Sequence, residues 1–221
     1  MKMLKIGNIE ISNLCLGGGK MVGMDFNIGR SLVNKALDLS INVFDCHHRY
    51  GNCEKIVGSF GNIIKMTKVS AYKPELHGEL TNNSRSLLKK IDIFWISDLD
   101  SDPLYQNGIM LYSIYQNQFN LIGINTENPE LAYRFMEEVP SCNLFMIPLS
   151  IEQPGMISFI KDAKARGKII FIIKIFRDGL LFPTYSKEES IKFVKKENPN
   201  IILLGTSKED HLEELVNLLG D

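Results

Sequence analysis

A chain of 221 residues, 44% apolar and 23% charged, has the balance of an ordinary globular protein with a full core, not of a disordered or fibrous one. Its 25 basic and 26 acidic side chains leave a formal charge of −1 with no block of like charge, which argues against nucleic acid or an anionic membrane as a partner. The longest apolar run, residues 169–173, is far too short to span a bilayer.

The N-terminal stretch MKMLKIGNIEIS has no apolar segment of the kind a secretory signal needs. It reads instead as a hairpin, residues 3–6 and 9–11 flanking the two-residue turn Gly7-Asn8. Beyond it, apolar runs of strand length alternate with stretches of helical spacing to the end of the chain. A strand over 14–17 precedes a helix over 28–39, a strand over 42–45 a helix over 54–60, and a strand over 63–67 a helix over 79–90. The pairs then continue as 91–96 with 108–118, 121–124 with 129–139, and 144–148 with 155–166. Strands over 169–175 and 201–204, each followed by a helix (187–196 and 209–219), complete the series.

Several boundaries carry their own signals. Asn128-Pro129-Glu130 is an N-cap with proline at the first helical position, and Ser186 with Glu189 is a capping-box pattern. Ser207 ahead of Glu209 and Asp210 places acids in a first turn, and Gly167 is a helix stop. Strands that read as unbroken Ile/Leu/Val runs are covered on both faces, which implies a parallel sheet. Eight strand–helix pairs in 1–221 suit a closed (β/α)8 barrel near the lower limit of its size, or an open doubly wound sheet; periodicity does not separate the two. The glycines after the first strand do not follow the GxGxxG spacing of a dinucleotide-binding open sheet, which weighs against the second. Cys15, Cys46, Cys53 and Cys142 form no CxxC pair and read as free thiols in a reducing compartment, the cytoplasm. His47-His48 has no third ligand at metal spacing, so no metal site is expected.

The segment from Lys5 to Gly61 is more specific. After the hairpin comes Leu14-Cys15-Leu16-Gly17-Gly18-Gly19, and then the run from Lys35 to Glu54, KALDLSINVFDCHHRYGNCE. This resembles the aldo-keto reductases, in which a helix ending AL..GIN leads to a strand end FDTA..YG.SE. Asp45, Tyr50, Gly51 and Glu54 keep that spacing. Thr67-Lys68, the strand IDIFWI ending at Ile96, IGIN ending at Asn125, DGLL from Asp178 and GTSK from Gly205 follow the order of further family segments.

The resemblance implies a barrel that binds NADP(H) at its mouth, with Asp45, Tyr50 and Lys68 as catalytic residues. Tyr50 would protonate a carbonyl oxygen as hydride arrives, and Lys68, held by Asp45, would lower the phenol pKa from its ordinary value of ~10. Gly18 and Gly19 would leave room for the nicotinamide ribose or substrate, Asn125 would hold the carboxamide, and Lys174 would reach the pyrophosphate. Gly205, Thr206, Ser207 and Lys208 would lead into a helix N-terminus suited to phosphate. Lys208 and His211 would meet the 2′-phosphate, and Glu214 the adenine.

Departures from the family are equally concrete. Ser97, followed by Asp98, stands where the family has a carbonyl-orienting histidine, and Asp98 is expected to oppose charge developing on an alkoxide. Met146 replaces a glutamine, His211 an arginine and Leu215 an asparagine. Family members are longer, through loops over the mouth and a C-terminal tail, so short loops, no tail and an open mouth are expected here. Three functions follow. The first is an NADP(H)-dependent oxidoreductase that reduces a carbonyl or imine on a small-molecule or carrier- or peptide-bound substrate. The second is an inactive nicotinamide-binding or scaffold subunit. The third is a cofactor-free lyase, isomerase or dehydratase that reuses Asp45, Tyr50 and Lys68.

Overall fold

The computed structural model describes residues 1–182 and 184–220. Met3–Ile6 (β1) and Ile9–Ser12 (β2) pair antiparallel, turning at Gly7 with φ of 57°, a conformation that only glycine adopts without strain. Eight further strands follow: Leu14–Gly17 (β3), Val43–Asp45 (β4), Ile64–Ser70 (β5), Ile93–Ser97 (β6), Ile122–Asn125 (β7), Leu144–Pro148 (β8), Ile169–Ile173 (β9) and Ile201–Leu204 (β10). All pair parallel, and β10 pairs with both β9 and β3. The sheet is therefore a closed barrel, and the open alternative is excluded: closure removes the two edges it would leave.

The helices are Phe26–Asp38 (α1), Cys53–Gly58 (α2), His77–Leu88 (α3), Asp102–Tyr115 (α4), Pro129–Glu138 (α5), Ile157–Ala165 (α6), Lys187–Lys196 (α7) and Glu209–Gly220 (α8). The expected caps are present. The Asn128 side chain accepts from the Glu130 and Leu131 amides, and Ser186 and Glu189 form a reciprocal box.

Most boundaries differ from the sequence reading by one to three residues, and four of the shifts have a visible structural cause. Strand β5 runs on to Ser70, because its last residues pair with β6 as far as Ser97. Strand β9 stops at Ile173, where Lys174 turns into a left-handed conformation with φ of 59°. Helix α3 stops before Lys89, which turns the same way with φ of 65°. Helix α4 starts at Asp102, because Tyr105 in its first turns is fully buried and its hydroxyl donates to Glu138 at 2.7 Å. That partner lies on another helix and leaves no periodicity in α4 itself.

Two apolar cores result. One lies between the barrel and the helices; the other fills the barrel, where Trp95 meets Phe171 edge to face at 4.9 Å between ring centroids. Gly123 makes room for that indole, since a Cβ there would come within 2.5 Å of Trp95 and of the Leu144 carbonyl. Ile6 and Ile11 of the hairpin join the inner core, so the N-terminal end of the barrel is plugged and chemistry is left to the C-terminal end. No described helix is long and apolar enough to cross a membrane.

Candidate active site

The two-residue period of the strands decides which side chains enter the barrel. On β5 the face of Met66 carries on to Lys68 and Ser70, and on β6 the face of Ile93 and Trp95 carries on to Ser97. Val43 leads in the same way to Asp45, and Gly123 to Asn125. The apolar fill thus ends in a polar layer at the C-terminal mouth, lining a cavity of about 370 Å³ that includes Asp45, Tyr50, Lys68, Ser97 and Asn125.

At its floor the Lys68 ammonium donates to Asp45 Oδ2 at 2.8 Å, with side chains only 7% and 5% exposed. Burial, the largest single influence, would lower the lysine pKa, but the Asp45 carboxylate, joined by Tyr50 and Cys15, more than offsets it and holds Lys68 above its ordinary value. Burial lifts the Asp45 carboxyl above its usual range, with Lys68 opposing. Tyr50, half-buried on the turn after β4, places its ring centroid 5.5 Å from the Lys68 ammonium. Burial raises its phenol above the ordinary 10.0 and outweighs the lowering by Lys68. The expected net depression of the phenol pKa is therefore corrected: the ammonium limits a rise that burial causes.

The Asp98 carboxylate does not stand free against the cavity. Arg49 donates to it at 2.9 Å, Ser97 at 3.2 Å, and the Ser70 hydroxyl by a further hydrogen bond. Its charge is thus partnered, which corrects the expectation that it opposes an alkoxide. Neither Arg49 nor Ser70 was singled out by the sequence; pairing across strands, not spacing along the chain, brings them to Asp98. His47, 2% exposed, also lines the cavity beside Tyr50, with 5.3 Å between ring centroids. Among the described residues no group of three His, Cys, Asp or Glu side chains could hold a metal, and all four cysteines are free and buried.

A second cavity of about 490 Å³, lined by Thr206, His211 and Leu215, shares Lys20, Lys174, Asp178, Leu203 and Gly205 with the first. The two form one groove from Tyr50 to the start of α8. Lys20 and Asp178 pair across it at 2.7 Å, and Lys174 on its wall is paired with Glu127.

Among the expected cofactor residues, Gly19, Asn125, Lys174, Gly205, Thr206 and His211 line this groove. Ser207, Lys208 and Glu214 do not line it; Ser207 and Lys208 are exposed nearby, and Glu214 is held by Lys187, whose own side chain does. Gly18 does not line it either. It is buried, and a Cβ there would lie 2.3 Å from Cys53 Sγ and 2.5 Å from the Asp45 carbonyl oxygen. Its small size serves packing beneath the site. Met146, in place of the family's glutamine, belongs to the inner core, and its carbonyl accepts from Asn125 Nδ2 at 2.9 Å.

No family profile matches the sequence. A small ribosomal subunit protein uS2 from Carsonella ruddii is 30% identical over 139 residues, 56% of this chain and 60% of that protein, so the chain spans about three fifths of the curated relative it matches. Similarity of structure extends over the whole chain. A putative aldo-keto reductase from Pseudomonas aeruginosa superposes with a TM-score of 0.80 at 18% identity, over 98% of this chain and 94% of that one. An aldo-keto reductase from Bacillus halodurans in its holo form gives 0.81 at 18% identity over 100% and 91%. A glycerol dehydrogenase from Gluconobacter oxydans gives 0.76 at 16% over 99% and 90%. The chain has the fold of the aldo-keto reductases.

Proposed function

We propose that this protein is an NADP(H)-dependent oxidoreductase that reduces a carbonyl by hydride transfer, with Tyr50 as the proton donor. The observation that carries this reading is the buried Lys68–Asp45 pair at 2.8 Å beneath Tyr50, at the open end of a barrel plugged at the other. A buried ion pair is a poor way to stabilise a fold, since desolvation offsets most of its attraction. A fixed ammonium beside a phenol, by contrast, limits the cost of the phenolate left behind when the proton is given up.

The groove fits a dinucleotide. Gly205 leaves its backbone open, as a Cβ there would meet only Lys20 Cγ at 3.8 Å. Asn125 spends its Nδ2 on Met146, leaving Oδ1 to accept from a carboxamide. Thr206 and His211 lie at the N-terminal end of α8, where amides and dipole favour phosphate. The exposed Lys208 adds positive charge, Lys174 would do so on parting from Glu127, and His211 and Lys208 support preference for a 2′-phosphate. When bound, the dihydronicotinamide supplies the hydride. Tyr50 delivers its proton to the substrate oxygen, Lys68 stabilises the resulting phenolate, and Asp45 fixes the ammonium in place.

A carbonyl suits this site better than an iminium ion, because Arg49 already partners the Asp98 carboxylate. The short mouth admits a small molecule or a carbonyl borne on a carrier or peptide. The four free cysteines suit a reducing cytoplasm.

The test is NADPH oxidation with a panel of aldehydes and ketones, alongside a fluorescence titration of NADPH. Tyr50→Phe should lower kcat by ~10²–10⁴-fold and leave the Kd for NADPH unchanged. Binding without turnover would identify an inactive nicotinamide-binding subunit, and no binding would discard the reading.

A further inference from the structure

We propose that the Nε2–H of His47 is the hydrogen-bond donor that holds the substrate's carbonyl oxygen, a role that Ser97 does not fill. This rests on the reductase reading above. The Ser97 hydroxyl is buried and committed to the Val69 carbonyl and to Asp98, at 3.3 and 3.2 Å. His47 lines the same cavity as Tyr50 and Lys68, on the turn that carries Tyr50.

Its chemistry is fixed locally. The backbone amide of Arg49 donates to His47 Nδ1 at 2.9 Å, so the neutral ring carries its proton on Nε2. Burial first, then the neighbouring His48, Lys68 and Arg49, pushes the imidazole pKa down to about 2, so the ring stays neutral at any working pH. His48 packs against the ring, with 4.0 Å between centroids and a tilt of 31°, and restrains it. The Nε2 atom is buried and has no hydrogen-bond partner among the described residues. A buried donor normally has an acceptor, and one beside the proton donor of a reductase is explained by an acceptor that arrives with the substrate. The oxygen would then sit between Tyr50, which gives it a proton, and His47, which polarises it without giving one up.

Two substitutions separate this role from a structural one. His47→Asn keeps an acceptor for the Arg49 amide but loses the donor at the Nε2 position; His47→Gln places an amide donor near Nε2. NADPH oxidation with 4-nitrobenzaldehyde is measured alongside the Kd for NADPH. The expected result is a ~10²-fold or greater loss of kcat/KM in His47→Asn, a loss of under about tenfold in His47→Gln, and an unchanged Kd in both. Full activity in His47→Asn would overturn the inference and leave the reductase reading standing; a wild-type protein that turns nothing over would overturn both. A second readout needs no turnover: ¹⁵N NMR of the imidazole with NADP⁺ present. The Nε2–H tautomer is expected, with an Nε2 resonance that moves as 4-nitrobenzaldehyde is added. A proton on Nδ1, or an unmoved Nε2, would overturn the inference.

Discussion

On the β4–β6 side of the mouth, Asp45 and Lys68 are 5% and 7% exposed and joined by one short ion pair. On the β9–β10 side, Lys20 and Asp178 are 44% and 69% exposed, and Lys174 and Glu127 40% and 46%. The same kind of pair is used in two environments with different consequences. A buried pair holds two atoms in one geometry and cannot lose a member without leaving an uncompensated charge. An exposed pair is screened, contributes little to stability, and opens readily to let a ligand pass. The Tyr50 end of the groove is accordingly rigid, and the end toward α8 is crossed by ion pairs that can part.

The largest effect that tests this contrast is expected from Lys68→Met. It leaves Asp45 buried without its partner and should cost about 3–5 kcal/mol in urea unfolding. A loss below about 1 kcal/mol would mean that the floor of the site is not a dry ion pair. Next is Gly18→Ala, whose methyl group would press on Cys53 Sγ and the Asp45 carbonyl at 2.3 and 2.5 Å. Forced overpacking there should cost about 1–3 kcal/mol, with turnover falling as Asp45 shifts.

A smaller effect comes from pH. The folded-state pKa of His47 is about 2 against an ordinary 6.5, so below pH 6.5 the unfolded chain takes up a proton that the folded chain refuses. Stability should therefore fall with pH in that window, by about 1.4 kcal/mol per unit once the unfolded histidine is protonated. His48, whose pKa burial also lowers, adds a slope of the same sign. Unfolding measured between pH 7 and 5 should show a shallower slope in His47→Gln. The smallest effect is expected from Lys20→Ala with Asp178→Ala, where a double-mutant cycle should give a coupling below about 1 kcal/mol that salt abolishes.

How much of this was legible varies along the chain. Asp45, Tyr50 and Glu54 fall within one short run, and their spacing survives in the sequence because a strand end and the turn after it are local. Lys68 was readable from Thr67-Lys68, although only the extension of β5 to Ser70 shows that it points into the barrel with Ser70 beside it. The partners of Asp98 were not readable, since Arg49 comes from the turn after β4 and Ser70 from β5. The crowding around Gly18 was not readable either, because a glycine required by packing and one required by a ligand look alike in one dimension.

The sequence by itself determined the alternation of strands and helices, several of their caps, and Asp45, Tyr50 and Lys68 as candidate site residues, because these depend on side-chain period and on neighbours a few residues away. The tertiary structure alone decided that the sheet closes, since closure depends on β10 reaching β3. It also decided which way the Tyr50 and Lys68 pKa values move, and that His47 Nε2 has no partner among the described residues. Those outcomes are set by burial and by charges from distant strands, which enter no local pattern.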